Sequence, residues 1–173
     1  EQMGTGVGTF DFGGKRHEFS GPGYRDHSRG PRQFGALEAH VWLQLFFPDA
    51  PAFSAYHVWV TQDGKAVQVL DKALSIRPDG FGPAAFGTQV RLHSLATVLD
   101  PIELDVTVEG RSYHLKGKPI APPLLTTFNS EVDFFFGCAP SLGEFVGTEY
   151  PLVFEYEGGT VPGYMQRSLR LPK

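Results

Sequence analysis

Sulfur is scarce in this 173-residue chain: Cys138 is its one cysteine, and methionine occurs twice. A lone cysteine excludes an intrachain disulfide and leans the reading toward a reducing, cytoplasmic compartment. No apolar run approaches the roughly 20 residues of a membrane-spanning helix, and no signal-peptide pattern is present. Basic charge is not in excess either, with 15 Lys and Arg against 19 Asp and Glu for a net charge of −4. Without a basic stripe interleaved with aromatics, a nucleic-acid partner is not expected. Internal repeats and a convincing helix are also missing. The first residue is Glu1 rather than Met, which leaves room for an upstream segment.

Turn formers and aromatics fill the space instead. The chain holds 21 glycines, 14 prolines, 15 Phe, 6 Tyr and 2 Trp. The glycines and prolines lie between short apolar runs, marking frequent turns rather than disorder. Aromatics suit pleated, half-buried surfaces. The length fits a single domain, residues 1–173, with a core that needs no staples.

Strands are expected at Val7–Phe12 and Lys15–Phe19 around Gly13-Gly14, then at Leu37–Phe47 and Phe53–Thr61. Lys65–Leu70 and Lys72–Arg77 follow the Asp63-Gly64 turn and lead to Pro78-Asp79-Gly80. Gly87–Ser94 reads as a strand, as do Ile102–Val108 and Arg111–Lys116 around Glu109-Gly110. Pro119–Pro123 reads as an edge or connection, and Glu131–Cys138 as a strand with an apolar end. Ala139–Thr148 reads as a loop or a single helical turn. Tyr150–Tyr156 and Tyr164–Leu171 close the chain around Gly158-Gly159. Nine or ten strands joined by tight turns imply an antiparallel barrel or sandwich. The barrel removes exposed edges and leaves a lumen for one small ligand.

The densest chemistry lies in Gly23-Tyr24-Arg25-Asp26-His27-Ser28-Arg29-Gly30-Pro31-Arg32. Glycines and prolines bracket it, so it is expected to form a shaped loop from Ser20 to about Gly35. Asp26 beside His27 can fix an imidazole tautomer for proton transfer. The alternative is a charge knot that only ties the loop to the barrel wall. A Ser-His-Asp triad is not supported, because Ser28 adjoins His27 and no nucleophile elbow surrounds it.

Alternation along the two following strands places His40, Trp42 and Gln44 on one face and Val41, Leu43 and Leu45 on the other. On the next strand, Ala55, His57, Trp59 and Thr61 divide from Ser54, Tyr56, Val58 and Val60. One aliphatic face and one mixed face of His, Trp, Gln and Thr are therefore expected. The mixed face is either a cavity lining or interface, or ordinary surface. His27, His40 and His57 match no metal-ligand spacing, and no metal is expected.

The Gly-aromatic-Arg-Asp-His-Ser-x-Gly-x-Arg loop after an N-terminal hairpin, with the Trp-bearing strand that follows, is similar to the C-terminal domain of AttH-like and hydroxyneurosporene-synthase-like double-lipocalin proteins. Carotenoid 1,2-hydratases belong to that group, with tocopherol cyclases and fungal Diels-Alderase-type cyclases as more distant relatives. The resemblance runs from about Gly4 to the Gly163-Tyr164-Met165-Gln166 strand. It implies a lipocalin-like barrel, normally the second of two in one chain, and a hydrophobic polyene, isoprenoid or polyketide ligand handled without an organic cofactor. It also implies His27 as acid–base group with Asp26 orienting it. Two departures count against alkene hydration. Arg29 stands where the group commonly has Trp, and a guanidinium repels a carbocation that an indole face would stabilise. Tyr56-His57-Val58 lacks the carboxylate of the group's Tyr-x-Asp. Arg29 in a cavity suits a carboxylate, phenolate or enolate.

The expectation is thus an all-β lipocalin-like barrel acting as a lyase, isomerase or cyclase on a hydrophobic small molecule. His27, Asp26 and Arg25 are the catalytic candidates. Tyr24, Arg29, Arg32, His40, Trp42, His57 and Trp59 are the substrate-binding candidates. The alternatives are a non-catalytic carrier of such a ligand and a barrel module that docks on a partner barrel.

Overall fold

Tight turns set the frame. The computed structural model describes residues 2–26, 36–128 and 145–171. Its strands are β1 (Gln2–Phe12), β2 (Lys15–Arg25), β3 (Leu37–Leu45), β4 (Ala52–Gln62), β5 (Lys65–Arg77), β6 (Gly80–Phe86), β7 (Ile102–Val108), β8 (Arg111–Pro119), β9 (Leu124–Phe128), β10 (Phe145–Tyr156) and β11 (Gly159–Arg170). Gly13-Gly14, Asp63-Gly64 and Glu109-Gly110 each take positive φ at both central positions, the backbone that matches strand twist in a two-residue hairpin. Among the described residues no helix is long and apolar enough to cross a membrane, and one 3-10 turn, Leu95–Thr97, is the only helical element.

Eight strands close into an antiparallel barrel in the order β11-β3-β4-β5-β6-β7-β8-β10, sealed by the β10–β11 ladder. This is the lipocalin-like all-β architecture. β8 pairs with Leu152–Glu155 of β10, and β9 takes its other half, Phe145–Glu149. β1 and β2 form a separate two-stranded hairpin.

Alternation puts the core inside the barrel. On β7, Ile102, Leu104, Val106 and Val108 are buried while Glu103 and Asp105 face water. Val41, Leu43, Phe53, Leu115, Leu152 and Met165 join the same buried cluster. Each such side chain contributes about 1.5–3 kcal/mol by leaving water. Val90, Leu92 and Val98, from the segment between β6 and β7, also belong to this cluster. The buried Arg167 of β11 donates to the carbonyls of Val90 (3.5 Å) and Val98 (3.0 Å), so its guanidinium latches that segment to the barrel.

Several boundaries differ from the sequence reading. Ser20–Arg25 is strand, not loop, because β2 pairs only with β1 and Pro22 needs no second partner. The strand before β7 is Gly80–Phe86 rather than Gly87–Ser94. Gly80, Gly82 and Pro83 disguised it. The Gln89-Val90-Arg91-Leu92 alternation is real, but it buries Val90 and Leu92 in the core without a ladder. β5 is one strand of 13 residues. Phe145–Thr148 belongs to β10 rather than to a loop. Glu131–Cys138 lies outside the described residues.

Candidate active site

Cross-strand register decides which side chains share a face. Val41 pairs with His57 and Ala39 with Trp59, whereas His40 pairs with Val58 and Trp42 with Tyr56. The expected single mixed face is therefore corrected. His57 and Trp59 lie with the aliphatic residues inside the barrel, and His40, Trp42 and Gln44 lie outside. Alternation within each strand was read correctly. The phase between the strands was not, because the turn at residues 46–51 does not announce its register.

The outer wall of β3, β10 and β11 carries a directional hydrogen-bond chain. Glu149 is a carboxylate acceptor, so the Gln166 amide nitrogen donates to its Oε1 at 2.6 Å. That orientation turns Gln166 Oε1 toward His40 Nε2 at 2.9 Å, which must then carry the proton. In the neutral ring Nδ1 is an acceptor, and Ser168 Oγ donates to it at 2.6 Å. Ser168 Oγ in turn accepts the His40 backbone N–H at 3.1 Å. At the other end Tyr164 donates its hydroxyl to Glu149 Oε2.

Burial sets the protonation states. Desolvation lowers the His40 pKa, outweighing its bond to Gln166 and the charge of Glu149, so the imidazole is neutral near pH 7. Burial is also the largest cause raising the Tyr164 pKa, with the Glu149 and Tyr24 hydrogen bonds adding to it. Tyr164 therefore holds its proton against Glu149.

Aromatic rings frame the exposed end. Tyr24, from the end of β2, stands edge-on to Trp42 with centroids 5.3 Å apart and packs on Tyr164 at 5.3 Å. Tyr56 stands edge-on to His40 at 6.0 Å. Three of the expected site residues, Tyr24, His40 and Trp42, thus meet here. Arg25 and Asp26 are exposed at the end of β2, with Arg25 bonded to Gln2 at 3.2 Å. His27, Arg29 and Arg32 lie outside the described residues.

Inside the barrel, His57 Nε2 lies 3.0 Å from Asp71. The ring is not aligned for a hydrogen bond, so we read the pair as an electrostatic contact. His57 packs against Trp59 and Phe86. Burial lowers its pKa, partly offset by Asp71. Among the described residues no three His, Cys, Asp or Glu side chains could hold a metal ion.

Glu149, Tyr164, Gln166 and Ser168 were missed by the sequence reading. Their signal is the polar alternation Tyr164, Gln166, Ser168 on the closing strand. Glu149 stands alone within the apolar Phe145–Phe154 run.

A model of one protein family, described as a domain of unknown function (DUF7064), matches residues 1–147. The chain belongs to the DUF7064 family. No curated protein matches it. Among solved structures, this DUF7064 chain is similar to an AttH protein of Nitrosomonas europaea, with a TM-score of 0.51 and 16% identity over 94% of this chain and 48% of that one. Kievitone hydratase of Nectria haematococca also matches, with a TM-score of 0.38 and 12% identity over 96% of this chain and 50% of that one. The chain spans about half the length of both. The AttH likeness establishes the shared fold, in agreement with the resemblance read from the sequence.

Proposed function

We propose that this DUF7064 chain is a cofactor-independent lyase, isomerase or cyclase acting on a hydrophobic small molecule of isoprenoid, polyene or polyketide type. The proton transfer is assigned to the outer barrel wall. The observation that carries this reading is the chain from Ser168 through His40 and Gln166 to Glu149 and Tyr164, which ends beside the rings of Tyr24 and Trp42. In an isomerisation, Glu149 removes a proton from substrate while Tyr164 turns its hydroxyl hydrogen toward the developing oxyanion. Protonated Glu149 then returns the proton at a neighbouring atom, and the enzyme is unchanged over the cycle. Tyr24 and Trp42 supply apolar surface that holds the substrate. Arg25 and Asp26 follow Tyr24 directly in the chain, and the acid–base role that the resemblance implies for His27 is kept as part of this proposal. Arg29 or Arg32 would stabilise an anionic group.

The test is incubation with a panel of planar phenols, isoprenoid alcohols and polyenes. Mass spectrometry then detects products isomeric with the substrate or differing from it by one water. Tyr164→Phe is expected to lower turnover by about 10²–10⁴-fold. An unchanged rate in the folded variant removes the proposed role.

A second reading, docking on a partner barrel, is favoured by the β1–β2 hairpin. It exposes Val7, Phe10, Phe12 and Phe19, and an isolated two-stranded hairpin is marginal in water. The chain would then be the C-terminal half of a two-barrel assembly. Light scattering with and without the partner barrel tests this, and a Phe10→Ser/Phe12→Ser variant should fail to associate.

A further inference from the structure

Residues 87–101 join β6 to β7 without entering a ladder. Their backbone meets the barrel at its root, where Gly87 N–H donates to Asp105 O at 2.9 Å and Thr88 Oγ1 accepts the Asp105 N–H at 2.7 Å. Beyond that point, among the described residues, the backbone N–H bonds are local. Thr97 donates to Ser94 O, Val98 to Leu95 O and Asp100 to Thr97 O. Bonds of this kind survive if the segment lifts away as one body.

Side chains hold it down instead. Val90, Leu92 and Val98 enter the core cluster, and the Arg167 guanidinium holds the carbonyls of Val90 and Val98. Arg91, on the segment itself, pairs with Glu38 at 3.2 Å and lies 5.9 Å from the centre of the Trp59 ring. Phe86, at the root, packs on His57. Both arginines carry a buried Nε that has no hydrogen-bond partner among the described residues. A buried donor left unpaired is costly, and it regains its partner when water reaches it. Opening thus offsets part of the apolar burial that it gives up, which places this segment at the low-stability end of the fold.

We propose that residues 87–101 are a strap that opens as one unit between Gly87 and Pro101 and gates the inner face carrying Trp59 and His57. The strap lies apart from the His40–Glu149 chain and does not depend on whether that chain performs catalysis.

The experiment is thiol labelling of the whole chain in a Cys138→Ser background, with one new cysteine at a time. Leu92→Cys places a buried thiol under the strap, and Leu104→Cys places one in β7. Below the unfolding transition, the Leu92→Cys thiol should react faster and with little dependence on urea, as local opening requires, whereas Leu104→Cys should follow global unfolding and rise steeply with urea. Arg167→Ala removes the clamp and should speed labelling at Leu92→Cys by about tenfold or more, with a smaller change at Leu104→Cys. Glu38→Gln frees Arg91 from the exposed side and should act in the same direction, which keeps the test valid if Arg167→Ala misfolds. In a Trp42→Phe background, either substitution should also raise acrylamide quenching of Trp59. Equal rates with equally steep urea dependence at the two cysteines would overturn the strap, as would clamp variants that leave Leu92→Cys labelling unchanged or speed both sites alike. Faster labelling with unchanged quenching of Trp59 would overturn the gate.

Discussion

Ser168→Ala tests the hydrogen-bond chain at its most buried point. Ser168 is fully buried, and its oxygen serves two groups of His40 at once, the backbone N–H and the imidazole Nδ1. Removing it leaves both without that partner. Each buried group left unsatisfied costs about 1–3 kcal/mol, so the loss is about 2–6 kcal/mol in all. Urea unfolding reads this directly. With a slope of about 2 kcal/mol per molar urea, the midpoint should fall by about 1 M or more. A double-mutant cycle sharpens the test, because in a His40→Phe background only the backbone bond remains to be lost. The coupling between the two positions should be about 1–2 kcal/mol, whereas additivity within about 0.5 kcal/mol would mean that they do not interact. A midpoint shift below about 0.3 M would also refute the geometry.

Stability should fall on acidification. His40 and His57 are both held below their ordinary pKa, chiefly by burial. The unfolded chain therefore takes up protons first as pH drops through about 6.5, so stability is intact above that value and lost below it, by at most about 1.4 kcal/mol per pH unit for each imidazole. Melting temperatures measured from about pH 8 to about pH 5.5 check this, and a flat profile would contradict it. Gly117→Ala should cost about 1–3 kcal/mol, because any Cβ at that position collides with the buried Phe154 ring. Unchanged thermal stability would show that the ring moves aside freely. Trp42 is half-buried outside the barrel while Trp59 is 4% exposed inside. Acrylamide should therefore quench a Trp59→Phe variant, which keeps Trp42, more than a Trp42→Phe variant. The opposite order would reverse the assignment of faces.

Local chemistry was legible in the sequence where a short stretch determines it. Gly13-Gly14, Asp63-Gly64 and Glu109-Gly110 are turns in both readings, since two adjacent positive-φ residues leave few alternatives. The β7–β8 hairpin was equally readable. Pairing phase was not, and so His57 and Trp59 were grouped with His40 and Trp42 although the strands place them on opposite sides of one wall. Gln166 and Ser168 reach His40 from a strand more than a hundred residues away in the chain, and Glu149 and Tyr164 join through Gln166. Such a site exists only after barrel closure, and no local pattern encodes it.

Two glutamine substitutions on opposite sides of the barrel wall decide where proton transfer takes place. Glu149→Gln preserves shape and an acceptor for Tyr164 but removes the base. His57→Gln alters a polar group inside the barrel. With any substrate turned over by the wild-type chain, the account predicts that Glu149→Gln loses about 10²–10⁴-fold in rate and that folded His57→Gln retains activity. Loss in His57→Gln with full activity in Glu149→Gln would place the reaction inside the barrel and contradict the account.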